Sequence, residues 1–183
     1  MTQARELAQF ASGSFPAGHV IQTKIIKDSS SYGGFGTQGD TYTSINIALD
    51  NNLASTSSVV VIDASLQVDM QNDVGYGFTW STSSSTLSGN KIGVSGDTIT
   101  NFSRGSVPYI NSSRHGDHVS FITCDSDISS TTPKTYYLWC TNAFSTPVYI
   151  GWHANVGQTQ SLGSGYFWTG SSTAVYKLTE IAG

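Results

Sequence analysis

The chain has 183 residues, a formal net charge of −4 and only 11% charged residues. That length suits one domain with a substantial core, and the scattered lysines and arginines form no basic stripe with which to bind nucleic acid. No run is apolar enough to span a bilayer, and the first residues lack the apolar core of a signal peptide, so a protein acting outside a cell is expected to leave by lysis, as an assembled particle does.

Serine and threonine supply more than a quarter of the residues. Such a chain could be disordered, but its apolar residues come in strand-sized clusters, which points to an all-β domain. The first stretch, "MTQARELAQFA", stands apart. Leu7 and Phe10, with Ala4 and Ala11, fall at helical spacing behind a Thr2 cap, and Ser-Gly-Ser with Pro16-Ala-Gly18 ends any helix. A helix so short needs a partner surface. Residues 1–18 are therefore read either as an anchoring and oligomerisation peptide, with Leu7 and Phe10 docking on a particle, or as a frayed terminus.

Strand signals follow in series. "HVIQTKIIK" (His19 to Lys27) opens it, and the glycine-rich turn "SSSYGGFGTQGD" leads to "TYTSINIAL". In "SVVVIDASLQVDMQ" one face carries Val60, Ile62, Ala64, Leu66, Val68 and Met70, while Asp63, Ser65, Gln67 and Asp69 make the other face wet. "GYGFTWST", "HVSFITC", "TYYLWCT", "TPVYIGWH" and "STAVYKLTEI" complete the set. Strands separated by Gly, Asn, Asp and Ser clusters, with no helical interval after residue 18, predict an antiparallel β-sandwich of jelly-roll type over 19–183. Large residues on both faces of Tyr136 to Trp139 predict contacts between subunits. Cys124 and Cys140 are expected as buried free thiols, with a cross-strand bridge as the alternative.

Three segments, "ARELAQFASG…AGHVIQ", "SFITCDSDISSTTPKTYYLW" and "STAVYKLTEIAG", resemble the C-terminal β-sandwich domains of bacteriophage tail-fibre and virion structural proteins, especially marine, cyanophage-like ones. The first is similar to their lead-in, the second to their strand-loop-strand pattern, and the third to a last strand ending in Glu-Ile-Ala-Gly. Cys124 and Asp127 depart from that pattern, where Leu and Pro are usual, and the loop from Arg114 to Asp117 lies outside it. The resemblance implies a trimeric virion protein, often at a host-facing tip.

The densest polar stretch is "NSSRHGDHVSF". His115 and His118 with Asp117 suit a borderline metal by residue type. In a loop entering a strand, positions three apart face opposite ways, so a metal there would need three chains, with one histidine from each meeting on a threefold axis. A solvated turn, Asn111 to Gly116, before a strand with Val119 and Phe121 inward is the plainer reading, and neither metal nor cofactor is expected. Catalysis finds no outline: the two glutamates lie near the ends, the aspartates sit in turns, and no serine or cysteine has a nucleophile's context. "GGFGTQGD" lacks the lysine and helix of a phosphate loop and reads as a flexible turn.

Aromatic residues in loops and strand ends are the remaining functional signal, because sugar rings stack on Trp and Tyr. Candidates are Tyr32, Phe35, Trp139, Trp152, His153 and above all Tyr166, Phe167 and Trp168, which cannot all face one core. His115 and His118 would add polar contacts to such a ligand site. The expected protein is a non-enzymatic homotrimer on the surface of a phage particle. It would be bound to other virion proteins and attach to a host glycan or protein receptor through a tail fibre or spike tip. Head decoration or a collar role, and a free lectin-like module, are the alternatives.

Overall fold

The computed structural model describes residues 16–30, 32, 34–70, 74–93, 110–112, 117–142, 147–151 and 174–183. All regular structure among them is strand: β1 Val20–Asp28, β2 Gly39–Ile47, β3 Val59–Met70, β4 Val74–Ser81, β5 Ile110–Ser112, β6 Asp117–Asp125, β7 Tyr136–Asn142, β8 Val148–Ile150 and β9 Ala174–Ile181. Residues 1–15, and with them Leu7 and Phe10, lie outside the described residues.

The strands form two antiparallel sheets. One runs β1-β9-β3-β6, with β8 continuing beside the far end of β3, and the other runs β2-β7-β4-β5. Setting aside the short β8, the antiparallel partners β1·β9, β2·β7, β3·β6 and β4·β5 are those of one long hairpin, first strand with last and so inward. Rolling that hairpin into two sheets produces a jelly roll, and the chain is an all-β antiparallel sandwich of that type. Eight of the nine strands overlap stretches named from the sequence. The exception is β5, which takes Asn111 and Ser112 out of the expected turn and pairs them with Gly75 and Val74. Its polar residues and three-residue length leave no alternation to read.

The core lies between the sheets, as period-two alternation requires. Val60, Ile62, Ala64, Leu66 and Val68 of β3 point inward and are fully or almost fully buried, and Val119 and Phe121 of β6 join them. Aromatic rings bridge the layers. Phe78 stacks on Phe121 with centroids 6.4 Å apart, and Trp80 meets Tyr176 edge to face at 5.9 Å. Such pairs add about 0.5–1.5 kcal/mol beyond the area they bury. Burial drives the Tyr176 phenol pKa up, with Asp28 adding to the effect.

Buried polar side chains hold one end of the sandwich. Glu180, inward on β9, is 0% exposed. It accepts hydrogen bonds from Gln22 Nε2 on β1, from Ala54 N and from Ser58 Oγ, each at 2.7 Å. Gln22 Nε2 also reaches the carbonyls of Asn51 and Asn52, so one carboxylate ties two strands to the loop between β2 and β3. In the same row, across Val60 from Glu180, Asp125 accepts from Tyr136 Oη at 3.1 Å, Lys134 Nζ at 3.0 Å and Asp127 N at 3.0 Å, and Lys134 also donates to the Asp127 carbonyl. The segment between β6 and β7 crosses from one sheet to the other over this anchor. Gly93, at φ 68°, lets the chain after β4 fold back against β6, because a Cβ there would stand 2.8 Å from Thr123 Cγ2.

Two expectations change here. The "GGFGTQGD" turn is pinned, since Phe35 is buried, its amide donates to Val148 O and its carbonyl accepts from Asn142 Nδ2 at 2.6 Å. The two cysteines are free, as expected, but only Cys140 is buried; Cys124 is exposed, because it occupies an outward position of β6.

Replacing Glu180 with Ala removes the acceptor of Ser58 Oγ and Ala54 N and opens a cavity, so thermal denaturation should show a loss of about 3 kcal/mol, or roughly 6–12 °C in Tm. Burial raises the Cys140 thiol pKa well above its ordinary range. In a Cys124→Ser variant the remaining thiol should therefore stay silent to an aromatic disulfide reagent at neutral pH and react only in denaturant.

Candidate functional surface

Among the residues expected to carry function, His115, Tyr166, Phe167 and Trp168 lie outside the described residues, as do Trp152 and His153. His118 is described. It is exposed on the outer face of β6, and its Nε2 lies 2.8 Å from Ser65 Oγ on β3. Among the described residues no group of three or more His, Cys, Asp or Glu is placed to hold a metal ion.

The other candidate aromatics are structural. Phe35 belongs to the core. Tyr32 is half-buried, bridges the backbone of Ile150, and donates from its hydroxyl to Asp28 Oδ2 at 2.6 Å. Burial and the nearby Asp28 carboxylate raise the Tyr32 phenol pKa. Trp139 is only 7% exposed and donates through Nε1 to Ser83 O at 2.9 Å. It belongs to a cluster on the outer face of the four-stranded sheet, where Tyr42 meets Tyr137 edge to face at 5.6 Å and lies tilted against Trp139 at 5.9 Å. At the rim of that cluster Thr141 Oγ1 donates to Asp40 Oδ1 at 2.6 Å, and Asn46 Nδ2 donates to the Tyr42 hydroxyl. A bulge in β2 accompanies the cluster, with Thr43 Oγ1 donating to Leu138 O at 2.8 Å.

The less expected surface is the outer face of the five-stranded sheet. Val20, Ile25 and Ile122, at 61%, 60% and 64% exposure, are the exposed large hydrophobic side chains among the described residues. Strand register places Ile25 and Ile122 in one row. Across β1-β9-β3-β6 that row reads Ile25, Lys177, Asp63, Ile122. The next row reads Thr23, Thr179, Val61, Cys124, and beyond it Val20, Ile181 and Val59 close the face. His118 sits at the other end, opposite Gln67. This outward face mixes exposed aliphatic side chains with a central pair of opposite charges and small polar residues, and it suits contact with another flat protein surface. The sequence did carry a signal for it. Ile25-Ile26 and Phe121-Ile122 are adjacent apolar pairs in strands, and neighbours in a strand cannot both face the core.

No family model and no curated protein matches the chain. Among solved structures the chain is similar to that of the infectious bursal disease virus Gx strain, with a TM-score of 0.36 and 12% identity over 88% of this chain and 37% of that one. It is also similar to the VP2 subviral particle of infectious bursal disease virus, with a TM-score of 0.34 and 8% identity over 90% of this chain and 38% of that one. The chain thus spans well under half the length of either.

Asp28 supplies a pH-dependent prediction. Burial opposes its charge, but hydrogen bonds from Tyr32 Oη and Ser30 N outweigh that and lower its pKa from the ordinary 3.8. A carboxyl with a depressed folded-state pKa contributes stability that is complete above its unfolded value and lost as pH falls through the folded one. Asp28→Asn should therefore reduce the loss of stability below about pH 4, as read by Tm against pH, and leave the slope near neutrality unchanged.

Proposed function

We propose that the chain is a bacteriophage virion structural protein, a homotrimeric jelly-roll subunit at a tail-fibre or spike tip that meets the host surface. The observation that carries this reading is the outer face of the five-stranded sheet. Its three exposed aliphatic side chains, Val20, Ile25 and Ile122, stand on a rigid sheet in a chain with few charges. Large aliphatic side chains left exposed on one sheet face mark a surface suited to a protein neighbour. The resemblance of "SFITCDSDISSTTPKTYYLW" to phage virion sandwiches supports the same reading. That segment forms β6, the Asp125-anchored crossing and β7.

The aromatic outer side of the four-stranded sheet supports a trimer, since Tyr42 and Tyr137 offer a second surface to copies around a threefold axis. Host contact then falls to loops at the ends of the sandwich, as in other sandwiches whose loops carry recognition. The role needs no cofactor and no catalytic group; its chemistry is adhesion.

The deciding experiment is a map of the whole particle with the chain located in it. Density for this sandwich at the tail tip is the expected outcome. Density on the head would replace attachment by decoration, and absence from purified particles would overturn the virion reading altogether. In solution, light scattering should give a mass that is a multiple of three chains, and a monomer would overturn the trimer.

A further inference from the structure

The outer face of the five-stranded sheet carries more information than its exposure. Its central row, Ile25-Lys177-Asp63-Ile122, is apolar at both ends with a positive and a negative group side by side in the middle. Among the described residues the ion pairs are Lys24 with Asp50 and Lys134 with Asp125. Lys177 and Asp63 share in neither, although they are direct cross-strand partners.

We infer that this face packs against the same face of a second copy, about a two-fold axis that runs along the strands between β9 and β3. Such an axis exchanges β1 with β6 and β9 with β3 while keeping each row opposite itself. Ile25 then meets Ile122 of the second copy, Lys177 meets its Asp63, and each contact occurs twice, as an isologous interface demands. The neighbouring rows agree. Thr179 meets Val61, Ile181 meets Val59, and Lys27 meets Ser120, so no like charges oppose one another.

The alternative two-fold axis, across the strands through the same row, sets Lys177 on Lys177 and Asp63 on Asp63. Like charges brought together while losing water oppose association, so charge selects the first axis. Sheets packed face to face cross at about 30°, which keeps central rows in register and displaces the ends. The row that decides the fit is therefore the central one.

Size is consistent with a specific contact. Four strands about 4.8 Å apart and nine residues long at about 3.3 Å per residue give a face of roughly 19 by 30 Å. Its accessible surface approaches the ~800 Å² per partner of a standard interface. The pairing stands whether or not the chain is built into a particle, because it depends only on this face.

Charge reversal tests it. Wild-type chain, weighed by light scattering or sedimentation, should contain an even number of copies. Asp63→Lys and Lys177→Asp, each alone, should halve that mass, since each faces a copy of itself with two like-charged pairs. An equimolar mixture of the two variants should regain the wild-type mass, because every facing pair is then of opposite sign. Wild-type mass retained by either single variant overturns the inference, and so does a mixture that stays at half mass.

A second variant covers the case in which a reversal fails to fold. The second row sets Thr23 opposite Cys124 of the other copy, whereas within one chain the two lie three strands, about 14 Å, apart. Thr23→Cys should be joined to Cys124 of a second copy by a bis-maleimide with a span near 8 Å, giving a covalent pair on a denaturing gel. Formation of no such pair overturns the inference.

Discussion

A fully buried carboxylate, Glu180, is the constraint on which one end of the sandwich depends. A charge removed from water is tolerated only when its lone pairs are met by donors. Here Gln22 Nε2, Ala54 N and Ser58 Oγ supply three at 2.7 Å. Each donor comes from a different place: an edge strand, the loop after β2, and the residue before β3. Satisfying one buried charge thus sets the relative positions of β1, β9 and β3, the same three strands whose outer sides carry Ile25, Lys177 and Asp63. The inner face fixes the register, and the register composes the outer face.

The aromatic contacts between sheets act in the same direction. Phe78 on Phe121 and Trp80 against Tyr176 lock the four-stranded sheet over the five-stranded one. Asp125, held by Tyr136, Lys134 and the Asp127 amide, fixes the crossing between β6 and β7. These are buried or half-buried polar groups with partners, and they specify geometry more than they add net stability. The surface they position is rigid, which is what recognition between flat faces needs.

Much of this was legible in the chain. The alternation in "VVIDASLQV" assigned the inner and outer residues from Val60 to Val68 of β3 correctly, and Val119 with Phe121 inward and a strand beginning at Asp117 follow the same rule. Short polar β5 left no such trace. Aromatic residues were the less reliable guide. Phe35 and Trp139 have the composition of a sugar platform, yet Phe35 fills the core and Trp139 lies almost wholly buried over the second sheet with its ring N–H bound to Ser83 O. A ring's chemistry is the same in a core as on a surface, so its type alone does not say which side of the sheet it takes. Glu180 leaves no trace of its role in the sequence for a related reason: a carboxylate near one end of a chain has the same composition whether it is solvated or buried among donors from distant segments.

By itself the sequence determined the class of the protein: an all-β sandwich with eight of its nine described strands in place, little charge and no apolar run long enough to cross a bilayer as a helix. Those properties follow from local periodicity and composition, which act over a few residues. Only the tertiary structure decided which residues stand side by side. Ile25, Asp63, Ile122 and Lys177 are far apart along the chain, and hydrogen-bond register alone draws them into one row. That row is a product of strand pairing over long sequence distances, where no local pattern reaches.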